Sequence, residues 1–224
     1  MLWFLLAARM ATAYPLTSTA LFEATAQTHW AEAAQCWKGS ARRKPIAVQR
    51  KALVHGILSA CDRFYPGDEA APYRFLALAI SESNGVPIVV DTDREHTRGP
   101  FCGGVDEARE TCKVYRIECP RARWEVVEWL MERPDWAALV AVGTVYRADV
   151  RQRFDPIRGM LAYKMGDRGL VECEMTLSKS GKPLTEARTW RHFVSIYEWL
   201  RCLRDHLLVA GPFPWCACVP RDFP

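Results

Sequence analysis

Apolar residues recur at helical spacing along most of the chain. Between residues 46 and 64 they return every three or four positions, which places them on one face of an α-helix. The region before residue 38 also carries helical patterning, with Leu21, Phe22 and Trp30 available for packing. Similar spacing predicts further helices at about 105–115, 124–131, 136–154, 157–165 and 185–209. The pattern therefore predicts a mainly α protein.

One predicted helix differs from the others because it is apolar nearly all round. Ala71-Pro-Tyr is suited to a first helical turn, and Phe75–Ile80 is an uninterrupted apolar run, which is typical of a buried helix. The run leads into Ser81-Glu-Ser-Asn84 and ends at Gly85-Val-Pro87. An apolar environment and the negative end of a helix both disfavour an ionised carboxylate, so Glu82 is a candidate general acid. Alternatively, Glu82 is a polar helix end that emerges into solvent.

A short extended region follows this helix. Ile88–Val90 is β-branched and predicts a strand, and residues 91–98 form a polar turn. Residues 99–104 make a second, glycine-rich extended piece. These features predict a small β-hairpin or irregular lobe beside the helical bundle.

Polar and proline-rich segments divide the chain into three parts. We assign residues 1–40 to an N-terminal helical extension, 41–209 to the main domain and 210–224 to an irregular tail rich in Pro, Cys and Trp. Leu2–Ala8 is apolar, but Arg9 interrupts it and no basic segment precedes it, so we interpret it as a retained helix and not a signal peptide. It is too short for a stable membrane span.

Composition narrows the function classes. The formal net charge of +4 suits an anionic polymer, but no Lys/Arg block indicates nucleic acid as a partner. The nine cysteines include no CxxC pair and no His at zinc-like spacing, so we predict no metal site. We interpret the cysteines as scattered buried thiols, with a few disulfides as the alternative if the protein matures outside the cytoplasm.

Several motifs occur in the order found in one known family. The segment Leu76–Ser83 is an apolar helix that ends in Glu-Ser, and Arg98-Gly-Pro-Phe-Cys102 takes the place of a Gly-Leu-Met-Gln-like segment. Val142-Gly-Thr-Val-Tyr146 and Gln152-Arg-Phe-Asp155 follow, and then Leu161-Ala-Tyr-Lys-Met-Gly166 in place of Ala-Tyr-Asn-x-Gly. Over about residues 70–200 the chain thus resembles the soluble lytic transglycosylase domain, which is related to goose-type lysozyme. The resemblance implies a lysozyme-like α+β fold, a helical bundle around the catalytic helix.

The resemblance also implies an activity and a site. Glu82 would act alone as acid and base in cleaving the bond between N-acetylmuramic acid and N-acetylglucosamine of peptidoglycan, and the product would be a 1,6-anhydro sugar. Ser83 and Tyr163 would bind substrate, together with Phe101, Cys102 and Lys164, and no cofactor is implied.

Two positions depart from the family pattern. Cys102 stands where the family has glutamine, and Lys164 stands where it has asparagine. Both positions line the saccharide cleft in the family, so the changes bear on substrate positioning and on activity. A lysine beside Glu82 would also favour the ionised carboxylate and work against a general acid.

Two other functions stay open at the level of sequence. Asp91 or Asp93 lies where phage-type lysozymes carry a second carboxylate, which would make the protein a hydrolase. A catalytically inactive structural component of a phage tail or ejection assembly is the other alternative. The apolar N-terminus, the tail and the many aromatic residues favour an assembly context, with other virion or secretion-system proteins as partners. The expected place of action is the bacterial envelope or periplasm.

Overall fold

The computed structural model describes residues 18–36, 45–91 and 96–209. The apolar N-terminal segment, residues 37–44, Asp93 and the tail after residue 209 lie outside the described residues. The described chain is mainly helical, as predicted, and carries one small antiparallel sheet. Its helices are α1 (Ser18–Cys36), α2 (Ala47–Phe64), α3 (Ala71–Ser83), α4 (Val105–Tyr115), α5 (Arg123–Glu132), α6 (Pro134–Arg151), α7 (Pro156–Lys179) and α8 (Arg188–Val209).

The sheet follows α3 directly and has the order β1 (Ile88–Asp91), β2 (His96–Gly99), β3 (Gly103–Gly104). Ile88 pairs with Gly99 and Asp91 with His96, while Arg98 pairs with Gly103. The expectation of a small β lobe is confirmed, but the second strand was misplaced. The strand is 96–99, within the predicted polar turn, and the segment predicted as extended contains a turn in which Cys102 has a φ of 47°.

Helix α3 lies in the centre of the molecule. Every residue from Phe75 to Ile80 is buried, with Phe75 to Ala79 fully inaccessible to solvent. Helices α8 and α2 pack on it, and α1 packs chiefly on α8. The unbroken apolar run of the sequence is therefore explained by neighbours on all sides of the helix.

A chain of polar side chains closes the end of α3. Asn84 has a φ of 57° and caps the helix in the left-handed conformation. The indole N–H of Trp30 donates to its backbone oxygen at 3.1 Å. The imidazole of His29, which is fully buried, lies 3.0 Å from its side-chain oxygen and accepts at Nδ1 from the indole of Trp199 at 3.0 Å. An indole N–H can only donate, so Nδ1 of His29 is the acceptor and the imidazole is neutral with its proton on Nε2. Through these contacts, α1 and α8 hold Asn84, two positions after Glu82.

Helix α7 contains a sharp break at Gly166. Its backbone angles there are φ 73° and ψ 165°, a region that only glycine occupies readily. The sequence predicted that the helix stops at Gly166. It breaks at that residue but then resumes as far as Lys179, so residues 167–179 are helical where no helix was expected.

The cysteines differ in state. Cys61 and Cys112 are buried thiols, and Cys102, Cys119 and Cys173 are partly buried thiols, as the sequence led us to expect. Cys202 instead forms a disulfide, so the expectation of free thiols was wrong at that position. Among the described helices, none combines the length and the apolar character that a membrane span requires.

A buried carboxylate joins α6 to the end of α2. Asp149 is 4% exposed and accepts a hydrogen bond from the Tyr65 hydroxyl at 2.6 Å. Burial raises the pKa of Asp149 above its usual range, while the hydrogen bond from Tyr65 acts in the opposite direction. A carboxyl whose folded-state pKa is raised binds its proton more tightly in the folded than in the unfolded protein. The protonated Asp149 therefore stabilises the folded protein at pH values below the ordinary Asp pKa near 4, and this contribution is lost as the pH rises through the raised pKa.

Asp149→Asn removes this titration while keeping an oxygen that can accept from Tyr65. We expect the difference in free energy of unfolding, variant minus wild type, to increase between pH 4 and pH 8. Urea denaturation at both pH values measures this difference. The same substitution at the exposed Asp106, which pairs with Arg123, is measured in parallel as the control. A difference for Asp149→Asn that stays constant across the range would contradict the raised pKa.

Candidate active site

Glu82 lies in the last turn of α3, where the buried helix reaches a cleft. Its side chain is 20% exposed, so the carboxylate is shielded from most of the solvent but still reaches the cleft surface. The sequence predicted that this helix leads into Ser81–Asn84 and stops at Gly85-Val-Pro87, and the observed helix ends at Ser83 with Asn84 as its C-cap. The alternative of an open, solvated helix end does not describe this position.

The turn between β2 and β3 is tied to the end of α3 by side chains of the predicted site. The Ser83 hydroxyl donates to the Pro100 carbonyl at 2.7 Å, and the Cys102 thiol lies 3.8 Å from the Glu82 backbone oxygen. The backbone N–H of Cys102 closes the turn onto Gly99 at 3.3 Å. These contacts fix the turn against the residue that carries the carboxylate.

Tyr163 fastens the same turn from α7. Its hydroxyl donates to the carbonyl of the buried Phe101 at 3.0 Å. Burial raises the pKa of Tyr163 well above 10, and the nearby charge of Glu82 adds to the effect. The phenol therefore stays protonated and keeps its donor role, with its oxygen lone pairs left to accept from a ligand.

Lys164 contacts the candidate catalytic carboxylate directly. Its Nζ lies 2.9 Å from Glu82 Oε1 and donates to Ser81 Oγ, also at 2.9 Å. Only 10% of the lysine side chain is exposed. The cation that the sequence placed near Glu82 is thus in an ion pair with it.

Small side chains on one face of α6 form the floor of the cleft. Alanine and threonine recur there at helical spacing, and their short side chains leave space between α4, α7 and the β lobe. The resulting cleft has a volume of about 760 Å³, which lies in the range of ligand-binding pockets. The floor residues are Ala137, Ala141, Thr144 and Ala148.

Paired charges line the part of the cleft formed by α4, α6 and α7. The Arg147 guanidinium is 17% exposed and lies 2.9 Å from Glu110, and its other nitrogen donates to Thr111 at 3.3 Å. Arg151 lies 3.3 Å from Asp167, which connects α6 to the second half of α7. These pairs give the cleft fixed polar groups for a ligand that is rich in hydroxyl and amide groups.

The structure brings the principal predicted site residues together. Five of them line the cleft: Glu82, Phe101, Cys102, Tyr163 and Lys164. The sixth, Ser83, donates a hydrogen bond to the Pro100 carbonyl in the adjoining turn. Asp91 ends β1, opposite His96. Its side chain is not described, so the role of a second carboxylate stays a prediction for Asp91 and Asp93 alike.

Sequence reasoning missed several lining groups, including charged residues of α4, α6 and β2. Glu107 is in the first turn of α4 and lines the same cleft as Glu82. Arg98 on β2 lines it as well. Glu107 carried a weak signal, because it is an acidic residue at the start of a predicted helix after two glycines, but that position is also typical of helix capping. Among the described residues, no group of three His, Cys, Asp or Glu side chains is placed to hold a metal ion.

Comparison of the chain with protein-family models, with curated proteins and with solved structures gave no match.

Proposed function

We propose that the protein is a peptidoglycan lytic transglycosylase with Glu82 as its acid and base. The observation that carries the proposal is the position of Glu82, which projects from the end of the buried helix α3 into a polar cleft beside a small β lobe. A carboxylate that is shielded from most of the solvent at such a place can hold and return a proton within one reaction. The contacts of Ser83 and Tyr163 with the 99–102 turn supply the rigid wall that positioning a sugar chain requires.

The reaction needs one carboxyl group. Protonated Glu82 donates its proton to the oxygen that links N-acetylmuramic acid to N-acetylglucosamine, and the glycosidic bond breaks. The muramoyl N-acetyl group stabilises the positive charge that develops on the sugar. The Glu82 carboxylate then takes the proton of the muramoyl 6-hydroxyl, whose oxygen closes the anhydro ring on the anomeric carbon. Glu82 ends protonated, as it began, and no cofactor takes part.

The remaining cleft residues would bind the glycan. The oxygens of Ser83 and Tyr163 can accept hydrogen bonds from sugar hydroxyl or amide groups while donating to the turn. The biological role that follows is local opening of the bacterial cell wall at the envelope, by an enzyme carried in a phage virion or an envelope-spanning assembly. Its partners would be peptidoglycan strands and the neighbouring proteins of that assembly.

A hydrolase is the second candidate, and Glu107 favours it. This carboxylate lines the same cleft as Glu82 and also affects the pKa of Tyr163, so the two acids share one site. A second carboxylate in such a cleft could activate a water molecule.

Product analysis of digested peptidoglycan tests the proposal. Purified sacculi are incubated with the full chain, and the released muropeptides are identified by mass spectrometry. We expect products with anhydro ends, each lighter by one water than the corresponding reducing-end product. Reducing-end products that disappear with Glu107→Gln would instead establish the hydrolase. A folded protein that releases neither class of product would leave the structural role as the function.

A further inference from the structure

The C-terminal end of α4 is closed by two hydrogen bonds to one carbonyl. Arg116 has a φ of 52° and donates its backbone N–H to the Cys112 oxygen, and the N–H of Ile117 donates to the same oxygen at 2.9 Å. A residue in the left-handed conformation ends a helix in this way and turns the chain aside. The segment after the turn therefore returns to the end of α4, where Cys119 contacts Cys112.

The two thiols of this turn differ in their access to solvent. They are hydrogen-bonded to each other, and neither is part of a disulfide. Cys112 is 2% exposed, and burial raises the pKa of its thiol, with the contact to Cys119 acting in the same direction. Cys119 is only partly buried. A reagent from solvent can therefore reach Cys119, while Cys112 lies covered directly beside it.

Neighbouring residues hold Cys119 in this position. The indole N–H of Trp136 on α6 donates to the carbonyl of Glu118 at 2.9 Å, which fixes the preceding peptide unit. Pro120 follows, and a residue before proline is restricted to extended conformations. A disulfide requires its two Cβ atoms to lie within about 4.5 Å of each other. Because the thiols are already in contact, we expect the bond to form with small side-chain movements.

The state of Cys202 bears on the conditions that the chain meets. Cys202 forms a disulfide. Disulfides form and persist in oxidising surroundings, where disulfide reagents are also present. The thiols of Cys112 and Cys119 would then be exposed to the same reagents.

We propose that Cys112 and Cys119 are a thiol–disulfide modification site, which a small-molecule disulfide oxidises reversibly and which fastens the end of α4 to the segment before α5. Glu110 of α4 lines the cleft, and Thr111, next to Cys112, lies 2.8 Å from the Thr144 hydroxyl of α6. The new bond therefore stabilises one wall of the cleft. The site does not depend on the proposed function.

The modification proceeds in two exchange steps. The accessible Cys119, as its thiolate, attacks one sulfur of the external disulfide, whose S–S bond breaks, and one small thiolate leaves. Cys112 then gives up its proton and attacks the Cys119 sulfur of the mixed disulfide, and the second small thiolate leaves. The two protons of the protein thiols pass to the two small thiolates. Two cysteines are oxidised and one external disulfide is reduced to two thiols.

Peptide mapping without reduction tests the site. The full chain is incubated with oxidised glutathione, its remaining thiols are alkylated, and it is digested with trypsin. Basic residues separate the two cysteines, so trypsin places Cys112 in the peptide 110–113 and Cys119 in the peptide 117–121. We expect mass spectrometry to find these two peptides joined, in a product lighter by two hydrogen atoms than their sum, and to find them separate after dithiothreitol.

Single substitutions test the order of attack. In Cys112→Ser no second thiol resolves the mixed disulfide, so we expect glutathione to remain attached to Cys119. In Cys119→Ser we expect the covered Cys112 to stay an unmodified thiol. Cys173→Ser is the matched control, since Cys173 is a partly buried thiol on α7, and it should form the link as wild type does. Circular dichroism establishes folding, and Cys112→Ala replaces Cys112→Ser if the latter does not fold.

Folded wild type that yields no linked peptides in oxidised glutathione would overturn the inference. So would a glutathione adduct that persists on Cys119 of wild type, or a link from Cys112 to a different cysteine such as Cys61. Oxidation should also raise the thermal midpoint of wild type by about 5 °C or more, and of neither Cys112→Ser nor Cys119→Ser. A linked protein with an unchanged midpoint would contradict the fastening of α4. None of these measurements uses peptidoglycan, so the inference and the proposed function fail separately.

Discussion

Glu82→Gln is expected to lower the rate of peptidoglycan cleavage by about 10²–10⁴-fold, the usual contribution of a single general acid–base group. Glutamine has nearly the same shape as glutamate, and its amide oxygen can still accept from Lys164. It has no proton to donate at the start of the reaction and cannot take one from the 6-hydroxyl afterwards. Because the same carboxyl serves both steps, the substitution removes the proton donor of the first step and the proton acceptor of the second.

Muropeptide release by purified wild type and variant, measured at several pH values, gives the ratio directly. Glu172→Gln is the matched control, because Glu172 is an exposed glutamate on α7 that pairs with the exposed Arg168. The control should retain wild-type activity. A Glu82→Gln protein that keeps more than about a tenth of the wild-type rate would exclude Glu82 as the acid, given the size of the effect expected of such a group.

His29→Ala is expected to lower the free energy of unfolding by about 3–5 kcal/mol. The imidazole is fully buried, so its removal leaves a cavity between α1, α3 and α8. The substitution also removes the acceptor of the Trp199 indole N–H, a buried donor whose loss of a partner costs further stability. Both effects act on the region that supports Asn84 at the end of α3.

Urea denaturation monitored by tryptophan fluorescence measures the change. His55→Ala is the control, since His55 is an exposed histidine in the middle of α2, and we expect a change within about 0.5 kcal/mol. A loss below about 1 kcal/mol for His29→Ala would contradict the view that α1 belongs to the structural core. A loss of the expected size would show that a helix outside the assigned main domain supports the candidate site.

Much of the helical framework could be predicted because helix formation depends on nearby residues. The spacing between residues 46 and 64 predicted α2, and Phe75–Ile80 predicted a helix buried on all sides. Periodicity failed where long-range contacts decide the conformation. Strand β2 has a polar sequence, and its conformation depends on pairing with β1, so the pattern placed it in a turn. The second half of α7 was missed because a glycine break does not reveal whether the chain becomes helical again.

Short local motifs in the sequence identified the candidate site residues, but they did not give the arrangement of these residues in space. The sequence by itself determined that a buried helix ends in Glu82, since an apolar run followed by Ser-Glu-Ser specifies both burial and the helix end. Only the tertiary structure decided that Lys164, 82 positions later in the chain, contacts this carboxylate at 2.9 Å. That contact requires the first half of α7 to come close to the end of α3, which depends on packing among helices distant in sequence. The sequence therefore supplied the acid and its charged neighbour, and the folded structure determined that they form a pair.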